Sequence, residues 1–118
     1  MKTKSTTKRR KNKPTRLKVT CTDGTIIQER YAWQTMAKVI EKIDDIEKVM
    51  LLHITRANIN IITTRPHQDL SVSRYQKEVK PGFYLYTKSS TNDKMAQIKE
   101  IKKKLNIQWI NDIDVIHS

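Results

Sequence analysis

The side chains with the most obvious reactivity are scattered along the chain. Asp69, followed by Glu78-Val79-Lys80, loosely echoes a metal-dependent nuclease centre. In such a centre two carboxylates hold Mg²⁺ while a lysine steadies the attacking water or the phosphate. Here Lys80 runs straight into Pro81 and the segment lacks strand periodicity, so a nuclease is only a remote alternative. Gly82-Phe83-Tyr84 resembles the first half of a GIY-YIG nuclease signature, but no second half follows, so it is discounted. His53, His67 and His117 lie far apart, and none stands at zinc-ligand spacing from Cys21 or from another histidine. Cys21 falls on the apolar parity of a strand and reads as a small core residue. The expectation is a protein that is not an enzyme, with no catalytic residue, metal site or cofactor.

Charge points elsewhere. The formal net charge is +12 and the pI is near 10.0. Of the 24 cations nine fall in residues 1–18, with no acid among them, and the rest of the chain carries 15 cations against 12 acids. Lys8, Arg9, Arg10, Lys11, Lys13 and Arg16 could neutralise phosphates and release condensed counterions, which gives sequence-independent, salt-sensitive affinity for DNA or RNA. A block of like charge is usually an interaction tail, although it also serves as a solvated one. Lys94, Lys99, Lys102, Lys103 and Lys104 offer a second basic face on a C-terminal helix. The plainer reading of that face is a solvated surface whose cations suit the helix C-terminus. Tyr84 and Tyr86 share one face of a strand, where they would either stack unpaired bases or pack across the sheet.

The elements that must position these groups follow from periodicity. Residues 1–15 are polar and basic, cannot offset their ordering entropy by burial, and are expected to be a disordered tail ahead of one domain at 16–118. Leu17, Val19 and Cys21 alternate with polar residues as in a strand, and Asp23-Gly24 then predicts a hairpin with a type I′ turn into Thr25–Glu29. Residues 32–43 carry apolar positions at helical spacing, and Asp44-Asp45 offers a fresh N-cap for a short helix from Ile46. A strand is expected at Ile59–Thr64, a long loop at Arg65–Lys80 and a strand at Phe83–Thr87. Ser90 opens a helix with the stripe Met95, Ile98, Ile101 and Leu105, which Asn106 can end in a left-handed conformation. The last strand holds Ile107, Trp109, Ile113 and Val115 on one parity, with a break at Asn111-Asp112. The order β-β-α-β-β-α-β suggests an α+β domain with a single, mainly antiparallel sheet and two helices on one face.

At 118 residues the chain suits one domain, and its lone cysteine suits a reducing compartment. No apolar run approaches the roughly 18 residues that span a bilayer, and residues 1–18 have no apolar secretory stretch. A cytoplasmic protein with no membrane partner is expected.

Several of these segments together resemble a known type of domain. Leu17-Lys18-Val19-Thr20, Asp23-Gly24-Thr25-Ile26, Thr35, Val39-Ile40-Glu41-Lys42-Ile43, Gly82-Phe83-Tyr84 and Thr87-Lys88-Ser89-Ser90-Thr91 with Lys94 resemble a small domain of uncharacterised bacterial proteins, of the Bacteroidetes type. The likeness covers about residues 16–116 and leaves out the basic tail. Cys21-Thr22 stands where that pattern has an aromatic residue and a proline. The resemblance implies a bacterial domain and brings no activity, cofactor or site residue with it. Two functions remain from the residues themselves. One is a nucleic-acid-binding accessory protein. The other is a protein-interaction module of a larger assembly, using an edge strand or the 65–80 loop.

Overall fold

The computed structural model describes residues 15–55, 57 and 60–117. The expectations for Lys8, Arg9, Arg10, Lys11 and Lys13, and for a disordered tail, lie outside the described residues.

The alternation at the start of the domain builds strand β1, Thr15–Cys21, with Leu17, Val19 and Cys21 buried and the intervening residues half-exposed. Its hairpin partner β2 is only Ile26–Ile27. The hairpin therefore forms, but not through a type I′ turn. Gly24 has φ +90°, while Asn106 is the one non-glycine residue with positive φ among the described residues, so Asp23 does not share that conformation. Gly24 N–H donates to Cys21 O at 3.0 Å and Cys21 N–H to Thr25 O at 2.8 Å. That pattern is the three-residue loop in which a turn is followed by a glycine bulge. Asp23 contributes its carboxylate, which accepts from Thr25 N–H at 2.9 Å.

Strand β6, Ile110–His117, runs antiparallel along the other side of β1 and completes a sheet of order β2-β1-β6. Cross-strand partners on the inner face are Leu17 with Val115, Val19 with Ile113, and Cys21 with Ile110. The register shifts by one residue at Thr20/Cys21. The bulge at Asn111 keeps the strand continuous where a break is expected from sequence, and it turns Ile110 inward in place of Trp109.

Helix α1, Ala32–Lys42, buries Thr35, Met36, Val39 and Ile40. A short helix α2, Ile46–Leu51, follows from the Asp45 cap. Strand β3 is Ile62–Thr63, shorter than the expected run. The 65–80 segment is not one loop. It contains a single-turn helix α3, Leu70–Ser73, capped by Asp69, and strand β4, Gln76–Lys80. Strand β5, Phe83–Tyr86, pairs with β4 across Pro81-Gly82, where Gly82 takes φ +82° as the second central residue of such a turn requires. A second three-stranded antiparallel sheet results, of order β3-β5-β4, instead of the single sheet expected.

Helix α4, Thr91–Leu105, starts at Ser90, whose Oγ accepts from Asp93 N–H at 3.0 Å, and ends at Asn106 with φ 52° and ψ 51°. Helices α1 and α4 touch one another and both contact β1, while α1 also reaches β4. The α+β fold is thus closed by one aliphatic cluster that draws on both sheets, from Leu17 and Val19 to Ile62 and Leu85. Among the described residues no helix is long and apolar enough to cross a membrane.

Candidate nucleic-acid interface

The start of α1, the α3–β4 junction and the loop between β5 and α4 come together around an open cleft of about 570 Å³. Tyr31, Ala32 and Trp33 supply one wall. Arg74, Tyr75 and Lys77 supply a second, and Thr87, Lys88, Ser89, Thr91 and Lys94 a third. Thr15, at the head of β1, completes the rim. Three of the seven aromatic side chains of the sequence line this space, together with four cations, and no carboxylate lines it among the described residues.

Local bonds explain why these walls hold their places. The carbonyl of Tyr75 accepts both Thr87 N–H, at 2.8 Å, and Thr87 Oγ1, at 2.7 Å, which fixes the α3–β4 junction to the β5–α4 loop. Thr15 Oγ1 lies 2.6 Å from Thr91 Oγ1 and joins β1 to the first turn of α4. Gln34 Oε1 accepts from Tyr31 N–H at 3.2 Å and orders the entry to α1. Amines cover the rings. Lys77 Nζ stands 5.6 Å from the Trp33 ring centroid, Lys88 Nζ 5.1 Å from Tyr75, and the Arg30 guanidinium 5.3 Å from Tyr31. At exposed positions such contacts are worth about 0.5–1 kcal/mol each.

Lys94 differs from the expectation of an exposed helix-face cation. It is 3% exposed. Its ammonium donates to Thr87 O at 2.7 Å, Ser89 O at 2.6 Å and Ser89 Oγ at 3.0 Å. Burial lowers its pKa to about 8, against a smaller opposing effect of Asp93. Lys94 therefore clasps the loop that forms the third wall, and does not reach outward along a phosphate backbone. Lys104 is also engaged, with Glu100 Oε2 and His53 O, both at 2.7 Å. Lys99, Lys102 and Lys103 border a separate groove with Asn111, Asp112 and Ile113, so this basic face includes a carboxylate. Arg16 belongs to β1 and not to the tail. It alternates with Thr15 and Leu17, so it points to the face of the sheet away from the cleft.

The remaining candidates are separated. Asp69 accepts from Ser71 N–H at 2.9 Å and Ser71 Oγ at 2.8 Å, bonds that hold its carboxyl below the ordinary range. Glu78 Oε2 accepts from Gly82 N–H at 3.0 Å, and Lys80 Nζ donates to Ile43 O at 2.6 Å. Each of the three serves a cap, a hairpin or a loop contact, and no His, Cys, Asp or Glu cluster suited to a metal occurs among the described residues. His67 Nδ1 accepts from Asp69 N–H at 3.0 Å, and Cys21 is buried with a free thiol. Tyr84 and Tyr86 are half-buried on the central strand β5, opposite Glu78 and Gln76, and do not line the cleft.

Sequence reasoning missed Tyr31, Trp33, Arg74, Tyr75, Lys77 and Lys88. A usable signal was present. Arg30-Tyr31 and Arg74-Tyr75 each set a cation beside an aromatic residue in polar, non-periodic sequence, where neither is needed for a core.

Compared with protein-family models, curated proteins and solved structures, the chain matches none.

Proposed function

We propose that this chain is a nucleic-acid-binding accessory protein whose ordered contact site is the cleft between α1, β4 and α4, with the basic N-terminal segment as a phosphate anchor beside it. One observation carries the reading. Arg74, Lys77 and Lys88 converge with Tyr31, Trp33 and Tyr75 on a recess that no acidic side chain lines among the described residues. A positive, aromatic groove suits a polyanion with planar bases. Thr15 sits on its rim, and Lys8–Lys13 are at most seven residues from it in sequence. An extended chain of that length spans roughly 25 Å, so the tail cations can reach phosphates flanking an occupied cleft.

The test is fluorescence anisotropy of the full chain with labelled single- and double-stranded DNA and RNA across a salt series. It is paired with a variant in which Lys8, Arg9, Arg10, Lys11 and Lys13 are serine. Log-affinity that falls linearly with log salt, with a shallower slope in the variant, is the expected result. No binding near physiological salt refutes it.

A second reading has one observation in its favour. Leu70 is 70% exposed at the start of α3, and β4 beside it is an edge strand, which together suit a protein partner. That partner would bind with little salt dependence and would survive loss of the tail cations.

A further inference from the structure

Building on that function, we infer that the cleft takes unpaired nucleobases, stacked on Trp33 and Tyr75, so that the protein selects single-stranded over duplex nucleic acid. Phosphate contact alone calls only for cations. Here two rings from different elements face one recess, and each already has a lysine riding on it, Lys77 over Trp33 at 5.6 Å and Lys88 over Tyr75 at 5.1 Å.

Those amines mark where a base would lie. Both lysines are exposed. The rings of Trp33 and Tyr75 are half-exposed, and an amine on such a ring is a weaker contact than a base on the same ring. A base entering the cleft therefore displaces the amine, and the amine is left beside the phosphate that adjoins the stacked base. The exchange keeps the ring covered and adds a charge contact. It needs a base whose face is open.

A duplex cannot provide one. Its bases are stacked on each other, and reading it requires a helix or ribbon that protrudes into a groove. Trp33 and Tyr75 line the cleft together with the cations, so a duplex, whose base faces are covered, would engage the cations and leave the rings unstacked. A volume of about 570 Å³ is in the range of small-molecule sites and accommodates a splayed base with its sugar.

The experiment uses the full-length protein with Trp109→Phe, which leaves Trp33 as the sole indole. It is titrated with an unstructured oligothymidine and with a blunt duplex of the same length. The expected result is saturable quenching of Trp33 by the single strand, and little quenching by the duplex. Trp33→Leu and Tyr75→Leu should each weaken single-strand binding roughly 5- to 100-fold, with the salt slope unchanged. Trp33→Phe should restore most of the affinity, which separates stacking from loss of fold. Lys77→Ala and Lys88→Ala should instead each flatten the slope by about 0.7. Equal affinity for both nucleic acids without quenching overturns this inference and leaves phosphate-anchored binding intact. Absence of all binding overturns both.

Discussion

Lys94 and Ser89 are locked together twice, with the buried ammonium donating to the carbonyl at 2.6 Å and to the hydroxyl at 3.0 Å of the same residue. A third bond, to Thr87 O at 2.7 Å, makes the side chain the hub of the loop that leads from β5 into α4. Because that loop is a wall of the cleft, a buried interaction in the domain bears directly on the surface proposed to bind ligand. Lys94→Met keeps the length and apolar stem but takes the ammonium from the Ser89 carbonyl and hydroxyl, while Thr87 O retains Ser89 N–H at 3.0 Å, so we expect a loss of about 1–3 kcal/mol. Urea denaturation measures it. Nucleic-acid affinity of the variant should fall as well, through displacement of Lys88, and an unchanged affinity would detach this loop from the site.

The same group makes stability depend on pH in an unusual direction. Burial lowers the pKa of Lys94 from 10.5 to about 8. Below pH 8 the amine is protonated in both folded and unfolded chains, and it contributes no slope. Between about 8 and 10.5 the unfolded chain binds more protons than the folded one, so this group makes stability rise with pH. Above 10.5 the contribution is constant again. The difference in urea midpoint between the native protein and Lys94→Met, measured from pH 7 to 10, should grow in favour of the native protein through that window. A flat difference contradicts the assignment.

Much of this arrangement was legible in the sequence, and the exceptions have physical causes. The β1 alternation, the Asp-Gly hairpin, the Asp45 cap and the Ser90-to-Asn106 helix are set by local patterns, and each of those elements forms. The parts that escaped depend on distant partners. Strand β4 has one buried apolar residue, Val79, and exists because its backbone pairs with β5. The Asn111 bulge exists because Ile110 must face Cys21. Lys94 looked like its neighbours Lys99 and Lys102, and only the fold of the 87–90 loop supplies the acceptors that draw it inside. The cleft was invisible for the same reason, since its three walls are separated by some 40 residues and then by about a dozen.

Glu100 pins a non-helical segment to α4. Its Oε1 accepts Thr55 N–H at 3.0 Å, and its Oε2 accepts Thr55 Oγ1 at 3.1 Å and Lys104 Nζ at 2.7 Å. Lys104, with Thr55 behind it, holds the carboxyl below its ordinary 4.5. A depressed carboxyl stabilises the fold above pH 4.5 and loses that contribution as pH falls through its lower folded value. Glu100→Gln should therefore cost about 1 kcal/mol at pH 7 and less at pH 3, because the native carboxylate takes up protons as the pH falls. Thermal melts of both proteins at the two pH values decide it.

Asn106 ends α4 in the left-handed region, and Ile107 N–H returns to Lys102 O at 3.0 Å to close the cap. Asparagine and alanine both carry a Cβ, which costs about 1–2 kcal/mol in that conformation, but the asparagine amide offsets part of it by local hydrogen bonding, here accepting from Gln108 Nε2 at 2.7 Å, whereas glycine has no Cβ penalty to offset. Asn106→Ala should lower the melting temperature by several degrees, and Asn106→Gly should match or exceed the native value.

The last prediction separates two basic surfaces that the sequence makes look alike. Lys99, Lys102 and Lys103 share their groove with Asp112, and no aromatic side chain lines it among the described residues. Arg74, Lys77 and Lys88 share theirs with Tyr31, Trp33 and Tyr75. Changing either trio to serine removes the same net charge, so a purely diffuse attraction would weaken equally in the two variants. Direct phosphate contacts beside stacked bases would not. Every phosphate that goes without its cation lowers the salt slope on single strands by about 0.7. At physiological salt the Arg74/Lys77/Lys88 variant should lose roughly 10- to 100-fold in affinity, and the Lys99/Lys102/Lys103 variant no more than about threefold. Anisotropy titrations of the two full-length variants at three salt concentrations give both numbers, and equal losses would move the contact surface out of the cleft.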